Sequence, residues 1–517
     1  MSSCARARAR GVWMKLIDLL FAPLMKFIDL LFAPLMKFID LLFAPLSGTL
    51  RRMQDSVGFA PPTAAMLATE DLNACPLLRR LPVLRDKIAY RALGDRFPTP
   101  VHETSVPSVT GAELHFFVKR EDLSSTLYGG NKVRTLQFQL AIIEARLEAG
   151  EPDVLPLTVI GTWGSNQCVA TAVHASQAIP SLLPTLNVAL LAPEVADIDN
   201  TLNVLSVLSL GRTLPLLSPL ISLTAIVRAA FLGRGTVLTM GGNSPSGCLG
   251  QVSAMLELAE QIESGDAADP DRIYVAMGSS CTVSGLIIGC ALSRRLGLRA
   301  FESPRFRVCG VIIHHHGAAI QRRFDFHRRW KSFPCSIGQT IRATCAELAR
   351  LGGPDVTAEA LELLETQVII NDDAQLCGKY GGHSTLSRSA SQRYDAGGRT
   401  YSVEKRSGQR VEETPLWLCG HFVAKPFAAL LADLEGAESS AEGAGSPPLR
   451  CLLWQTKSAV QPRGRSDEWA RLCSMPKKLR EWAAEGPAES RLRPGKVDPF
   501  GGGPEDYRKM MTEVPLD

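Results

Sequence analysis

The chain has 517 residues, 45% of them hydrophobic and 21% charged, so it is globular in bulk and long enough for two packed domains with extensions. Its net charge of +4 is small for this length and its basic residues are scattered, which gives no basic stripe for nucleic acid to bind. The 13 cysteines include no CxxC pair, so neither a zinc ribbon nor a thioredoxin motif is indicated, and a reducing compartment is the simpler reading.

Residues 1–13 are rich in arginine and contain no acid, as organelle-targeting N-termini do, so mitochondrial as well as cytoplasmic placement is open. MKLIDLLFAPL at 14–24 then returns almost unchanged at 25–35 and 36–46. An 11-residue period favours a continuous helix, but Pro23, Pro34 and Pro45 interrupt it, and every repeat carries one Lys and one Asp. That argues against a transmembrane helix. Kinked amphipathic helices in weak contact with a membrane surface and a duplicated leader with no chemical role both stay open. Residues 47–75 read as a linker, which makes 1–76 a leader and starts the globular region, 77–460, at about Leu77.

The run FFVKRED (116–122) reads as a strand turning into a polar loop, and TLQFQLAIIEARLEAG (135–150) as a helix: Leu136, Leu140, Ile143 and Leu147 fall at helical spacing and Gly150 is its stop. Between them GGNK presents Lys132 at the mouth of a helix N-terminus. The two glycines allow a flat ligand close to the backbone, and Asn131 adds an amide beside the amine. This is the geometry an amine needs to reach a bound aldehyde. Beyond it, strands are expected at 154–160, 186–192, 236–240, 273–277 and 306–313, with helices from about Gln167, over a Leu-rich stretch after 192, from Leu249 to Ile262 and through Leu296. Strands alternating with helices at this spacing predict an α/β fold with parallel sheets covered on both faces. One last buried strand is expected within 449–454, and 461–517, charged and punctuated by Pro and Gly, reads as a mobile tail onto which Trp469 and Trp482 could dock one short helix. His314, His315 and His316 are adjacent on a strand and point to opposite faces, so they do not converge on one metal.

Two further loops stand between a strand and a helix. GSSCT (278–282) opens the helix after IYVAM, and a helix N-terminus offers N–H groups and positive dipole to an anion such as phosphate, with the Ser279 and Thr282 hydroxyls beside it. GTWGSNQ (161–167) offers the same to a carboxylate.

The motifs FPTPV (97–101), ELHFFVKREDL (113–123) and GGNKVRTLQF (129–138), in that order, resemble the pyridoxal-phosphate family that holds D-cysteine desulfhydrase and 1-aminocyclopropane-1-carboxylate deaminase. The resemblance covers the chain from FPTP to the LLWQT strand (452–456). It implies fold type II, a two-domain tryptophan-synthase β-like arrangement with a smaller domain, about 134–245, inserted after Lys132. It implies pyridoxal 5'-phosphate as cofactor, carried covalently by the Lys132 amine, with Asn131 beside it and Gly278, Ser279, Ser280, Cys281 and Thr282 as phosphate cradle. Ser165 is implied as substrate residue or nucleophile, Asn166 as partner of the cofactor's phenolic oxygen, Gln167 as substrate contact, Tyr380 of KYGGHS as second catalytic residue and Thr456 as neighbour of the pyridine nitrogen. GGNSPSGCLGQ (241–251) resembles the glycine-rich return to the larger domain, a hinge or simply a loop.

The chain departs from the family at several of these positions. Gln167 stands where the family has histidine, Ser280 and Cys281 where it has glycines, and Phe422 where LCGHFVAK (418–425) should carry a tyrosine. His421 is next door, and Gln455, Lys457 and Ser458 replace the remainder of an HTGG ending. The resemblance implies a lyase or deaminase of a small amino acid. D-cysteine desulfhydrase is favoured by the short LSSTLY spacer and by Val423 in place of an acid; the alternatives are the cyclopropane deaminase, giving 2-oxobutanoate, and a degenerate member that binds without turnover. The family's habit implies a homodimer. The insert at 387–410 has no counterpart.

Overall fold

The computed structural model of the chain describes residues 56–190, 195–210, 235–314, 336–396, 401–404, 410–413, 416–441, 447–464, 467–475, 477–484 and 512–513, with positions 325 and 328. The arginine-rich start, the three repeats with their expected membrane contact, His315, His316 and most of 485–517 lie outside the described residues.

Nine strands carry the architecture: β1 Val101–Pro107, β2 Glu113–Lys119, β3 Leu157–Gly161, β4 Asn187–Leu190, β5 Thr236–Leu238, β6 Arg272–Met277, β7 Arg307–Ile312, β8 Val368–Asn371 and β9 Cys451–Trp454. They form a six-stranded sheet in the order β1-β2-β9-β6-β7-β8 and a three-stranded sheet in the order β4-β3-β5. Only β1 and β2 pair antiparallel; every other pairing in these two sheets is parallel. The strands of the expected α/β alternation are present, and two of the interior ones, LTVIG in β3 and CLLW in β9, are buried throughout. Uninterrupted apolar strands are what a parallel sheet covered on both faces requires.

Six helices position the site: α1 Asn131–Glu148, α2 Asn166–Ala178, α3 Ile198–Ser209, α4 Pro245–Glu263, α5 Cys281–Arg295 and α6 Ala424–Ala441. Helix α4 starts four residues before the expected Leu249, because Ser244 caps it by accepting from Gly247 N and Pro245 occupies the first turn. Side chains on α4 approach α1 and α5 closely, and small residues make room: a Cβ at Gly250 would lie 2.0 Å from the Arg134 carbonyl, and one at Gly285 would lie 2.2 Å from Gln251 Cβ. Among the described residues no helix is long and apolar enough to cross a membrane.

Two boundary expectations are corrected. The stretch read as a linker up to residue 75 packs from Ser56 onward: the Ser56 hydroxyl donates to Val237 O on the edge strand β5 and accepts from Val237 N, while Val57, Met66 and Cys75 are buried in the main core. The free edge of the small sheet, which composition does not reveal, supplies the partner. Likewise the described parts of the tail up to residue 484 pack on the body, over more of its length than the one short helix expected to dock through Trp482. Gly464 N and Arg471 Nη1 bond Ser209 Oγ and Leu208 O at the last turn of α3, whose carbonyls have no helical partner, and helix Lys477–Ala484 buries Leu479 and Trp482. Trp482 meets Trp163 edge-on at 5.3 Å.

Candidate active site

Lys132 lies next to a buried ionic cluster built on Arg134, two residues along α1. Arg134 forks onto Glu121, at 2.9 and 2.8 Å, and onto Glu257, at 2.9 and 2.7 Å; Lys119 Nζ donates to Glu257 at 2.7 Å and Thr99 N–H closes on the same carboxylate at 2.9 Å. Two cations and two carboxylates cancel, and bidentate geometry compensates for burial. Burial raises the Glu257 carboxyl, yet the Arg134 guanidinium and the Lys119 ammonium outweigh it and hold the group well below the ordinary carboxylate range. Burial pulls Lys119 down in spite of both carboxylates. The cluster ties β2, the loop after it, α1 and α4 into one unit.

On that footing the Lys132 Nζ donates to Gly241 O at 2.9 Å. Burial lowers its pKa, so more of the amine is neutral and nucleophilic near pH 7 than in an exposed lysine; the Cys281 thiol opposes this weakly. Asn131 Nδ2 donates to Thr282 Oγ1 at 2.8 Å, and Asn243 Nδ2 to Ser279 O at 2.5 Å, so the loop 278–282 is bonded to both flanks of the amine. The N–H groups of Cys281, Thr282 and Val283 open α5 and have no carbonyl one turn earlier to bond. Gly241 is left-handed at φ +69°, and a Cβ there would meet Ser279 Oγ at 2.2 Å and stand 3.6 Å from Lys132 Nζ. Glycine therefore keeps the space over the amine open. A half-buried amine, a facing helix N-terminus and a cleared floor between them fit a flat aldehyde cofactor with a phosphate tail.

The cradle keeps its conformation without the family's glycine. Ser280 sits at φ +67°, ψ −6°, the left-handed region, as N-cap of α5. A non-glycine residue there costs about 1 kcal/mol. Ser280→Gly is expected to stabilise the chain by up to about 1 kcal/mol, read as a higher midpoint in thermal unfolding; a lower midpoint would mean that the Ser280 side chain contributes more than its backbone costs.

Ser165 caps α2, its Oγ accepting from Cys168 N at 3.4 Å, a long bond that leaves the half-buried hydroxyl free to donate. Asn166 Oδ1 accepts from Tyr128 Oη at 3.0 Å and from Asn203 Nδ2 at 2.9 Å; Asn203 also donates to Gly164 O at 2.7 Å. Lys457 Nζ stands behind this group, donating to Tyr128 Oη at 2.9 Å and to Asn203 Oδ1 at 3.1 Å. Gln167 Nε2 donates to Thr171 Oγ1 at 3.3 Å, and its Oε1 lies under Gly242. Thr456 presents its carbonyl to Asn131 N at 3.3 Å.

Tyr380 joins at one remove, through Asn200. Tyr380 O accepts from Val195 N at 3.1 Å, Asn200 Nδ2 donates to Gly381 O at 3.0 Å, and the Asn200 amide fills the space beside Gly164. The phenol ring meets His421 edge-on at 4.9 Å and His314 at 5.7 Å, and His421 stacks on Phe422 at 3.8 Å. Lys425, fully buried, donates to Ile313 O at 2.6 Å and to Lys379 O at 3.2 Å, fastening this loop to the end of β7.

The model of the family described as pyridoxal-phosphate dependent enzyme matches residues 93–376, more than half of the chain and the whole of the Lys132, Ser165 and 278–282 loops. The chain belongs to this family. The two-sheet architecture is accordingly that of its fold type II. As a member it is 31% identical over 225 residues to the bifunctional D-cysteine desulfhydrase/1-aminocyclopropane-1-carboxylate deaminase, mitochondrial, of Arabidopsis thaliana, covering 41% of this chain and 53% of that one. It is 31% identical over 208 residues to nocardicin C-9' epimerase of Nocardia uniformis subsp. tsuyamanensis, covering 38% and 60%. The chain thus spans less than two thirds of either curated relative. A crystal structure of an ACC deaminase homologue is similar at a TM-score of 0.44 and 19% identity, over 73% of this chain and 94% of that one. Tyr380, Phe422 and Thr456 lie beyond the matched family residues.

Sequence reasoning missed three participants. Tyr128 directly precedes GGNK and could have been flagged by position; Asn203 gave no signal. Glu257 is the clearest omission, an acid inside the apolar run AMLELA (254–259).

Proposed function

We propose that this pyridoxal-phosphate dependent family member is a lyase or deaminase of a small amino acid, with D-cysteine converted to pyruvate, sulfide and ammonia as the first candidate. The observation that carries the reading is the half-buried Lys132 amine, its pKa lowered by desolvation, held at 2.9 Å from Gly241 O opposite the α5 N-terminus. Pyridoxal phosphate bound there would supply an electron sink that acidifies the substrate's α-hydrogen. The first turn of α5, with Ser279 and Thr282, is assigned to the phosphate, and Gly278 to Cys281 to the cradle wall. Lys132 is assigned to attachment and, once displaced by the substrate amine, to α-proton removal. Ser165 and the first-turn N–H groups of α2 are assigned to the substrate carboxylate. Asn166 is assigned to the cofactor's oxygen and Thr456 to its ring nitrogen, a neutral partner that suits elimination better than transamination.

Tyr380 is the second proton carrier in this reading. Phe422 has no hydroxyl to share that duty, which disfavours ring opening of 1-aminocyclopropane-1-carboxylate relative to elimination of a β-substituent. Gln167, whose Nε2 donates to Thr171 Oγ1, is assigned to the substrate side as the resemblance implies. A homodimer, the inserted smaller domain at about 134–245 and mitochondrial or cytoplasmic placement belong to the same proposal.

The test is to load the purified chain with pyridoxal phosphate, reduce it with borohydride and locate the adduct by mass spectrometry. D-cysteine, D-serine and 1-aminocyclopropane-1-carboxylate are then supplied in turn, with sulfide, pyruvate and 2-oxobutanoate assayed. An adduct on Lys132 with sulfide and pyruvate from D-cysteine is expected. 2-Oxobutanoate in place of sulfide would favour the deaminase alternative, and an adduct with no product from any substrate would leave the binding-only member.

A further inference from the structure

Lys457 replaces a glycine of the HTGG ending, and its ammonium lies at the root of the hydrogen-bond group around Asn166. It is buried between the faces of Tyr128 and Trp417, with Nζ 5.1 and 5.5 Å from the two ring centroids. Its backbone pairs with Gly130, two residues before Lys132. An ammonium has three donors and no acceptor, whereas every other side chain in the group can either donate or accept. That asymmetry fixes the direction of each bond.

Because Lys457 donates to Tyr128 Oη, the phenol hydrogen is released toward Asn166 Oδ1. Lys457 donates to Asn203 Oδ1 and Gly164 O accepts from Asn203 Nδ2, so both ends of the Asn203 amide are fixed, with Nδ2 toward Asn166 Oδ1. Asn166 Oδ1 then receives two donors, which pins its side chain with Nδ2 as the remaining donor. With glycine at position 457, Tyr128 could reverse and Asn203 would be oriented by Gly164 O alone, so Asn166 Oδ1 would keep one fixed donor in place of two.

We propose that Lys457 is a positioning residue: acting through Tyr128 and Asn203, it locks Asn166 in the orientation that offers Nδ2 to an oxygen of the bound cofactor. The proposal rests on the functional reading above for the identity of that oxygen, while the lock itself is a property of the cofactor-free chain. It also accounts for why the chain tolerates a buried cation where the family ending has the smallest residue.

The experiment is a double-mutant cycle on the full chain with Lys457→Met, Tyr128→Phe and the pair, each titrated with pyridoxal phosphate and each unfolded in urea without it. Either single variant is expected to weaken cofactor affinity about tenfold, the effect of one misdirected hydrogen bond. The pair should lose no more than the weaker single variant, since both break the same chain. Lys457→Arg, which again offers only donors, should recover affinity. Parental affinity in Lys457→Met, or losses that multiply in the pair, would overturn the proposal. Should the parent itself take up no cofactor, the functional reading fails; the lock is then judged by the urea midpoints, where non-additive losses support it and additive ones overturn it.

Discussion

Replacing Lys132 by alanine is expected to abolish borohydride-trapped attachment of pyridoxal phosphate and to lower turnover about a thousandfold or more, while the urea midpoint stays close to that of the parent. The separation follows from the contacts. Lys132 Nζ makes one hydrogen bond, to Gly241 O, and its burial already costs the folded state through the lowered pKa. Removing it costs one modest bond and relieves one desolvated amine. If Lys132→Ala retained covalent attachment, another amine would be the carrier, and the assignment of the α5 N-terminus as cradle would lose its anchor.

The second large effect is on stability. Glu257→Ala would leave Lys119 and Arg134 facing the single carboxylate of Glu121 in a space closed to water. Stranding a buried charge in this way costs about 3–5 kcal/mol, a large fraction of the roughly 5–15 kcal/mol that holds a domain together. A mostly unfolded or aggregated product is expected, and a urea midpoint shift worth less than about 1 kcal/mol would show that the cluster matters little. By contrast, cutting the exposed Glu347–Arg350 pair should be worth under about 1 kcal/mol. The pH dependence has a definite sign. The folded pKa of Glu257 lies below its unfolded value, so the folded state binds fewer protons; its contribution is complete above the ordinary glutamate pKa of about 4.3 and is lost as pH falls below it. Acid unfolding should therefore be steeper in the parent than in Glu257→Gln, measured by urea midpoints between neutral and acid pH.

The same pair of residues marks the division between sequence and structure. Periodicity and β-branched runs located the strands of the small sheet and β2, β6, β7 and β9 of the large one to within a few residues, but not its two edges, β1 and β8, because an interior parallel strand has few polar positions to blur its pattern. The motif order set Lys132, Asn131, Ser165, Asn166 and the 278–282 loop at helix mouths, and α1, α2 and α5 do open there, because such turns are determined locally. Local chemistry did not reveal Ser280 in a left-handed conformation: neighbouring loops impose it against the residue's own preference.

The order of apolar runs and the GGNK motif determined that this is an α/β protein with an amine poised at a helix mouth. Only the tertiary structure decided how that amine is held. Glu257 reaches Arg134 across 123 positions, Lys457 reaches Tyr128 across 329, and residues 56–75 and 461–484 pack on edges and helix ends that no local pattern announces. Such pairings depend on which surfaces the sheets leave open and on which buried charges need a partner. Both are settled when the strands assemble, since a charge exposed in the unfolded chain has no preference among partners until water is excluded.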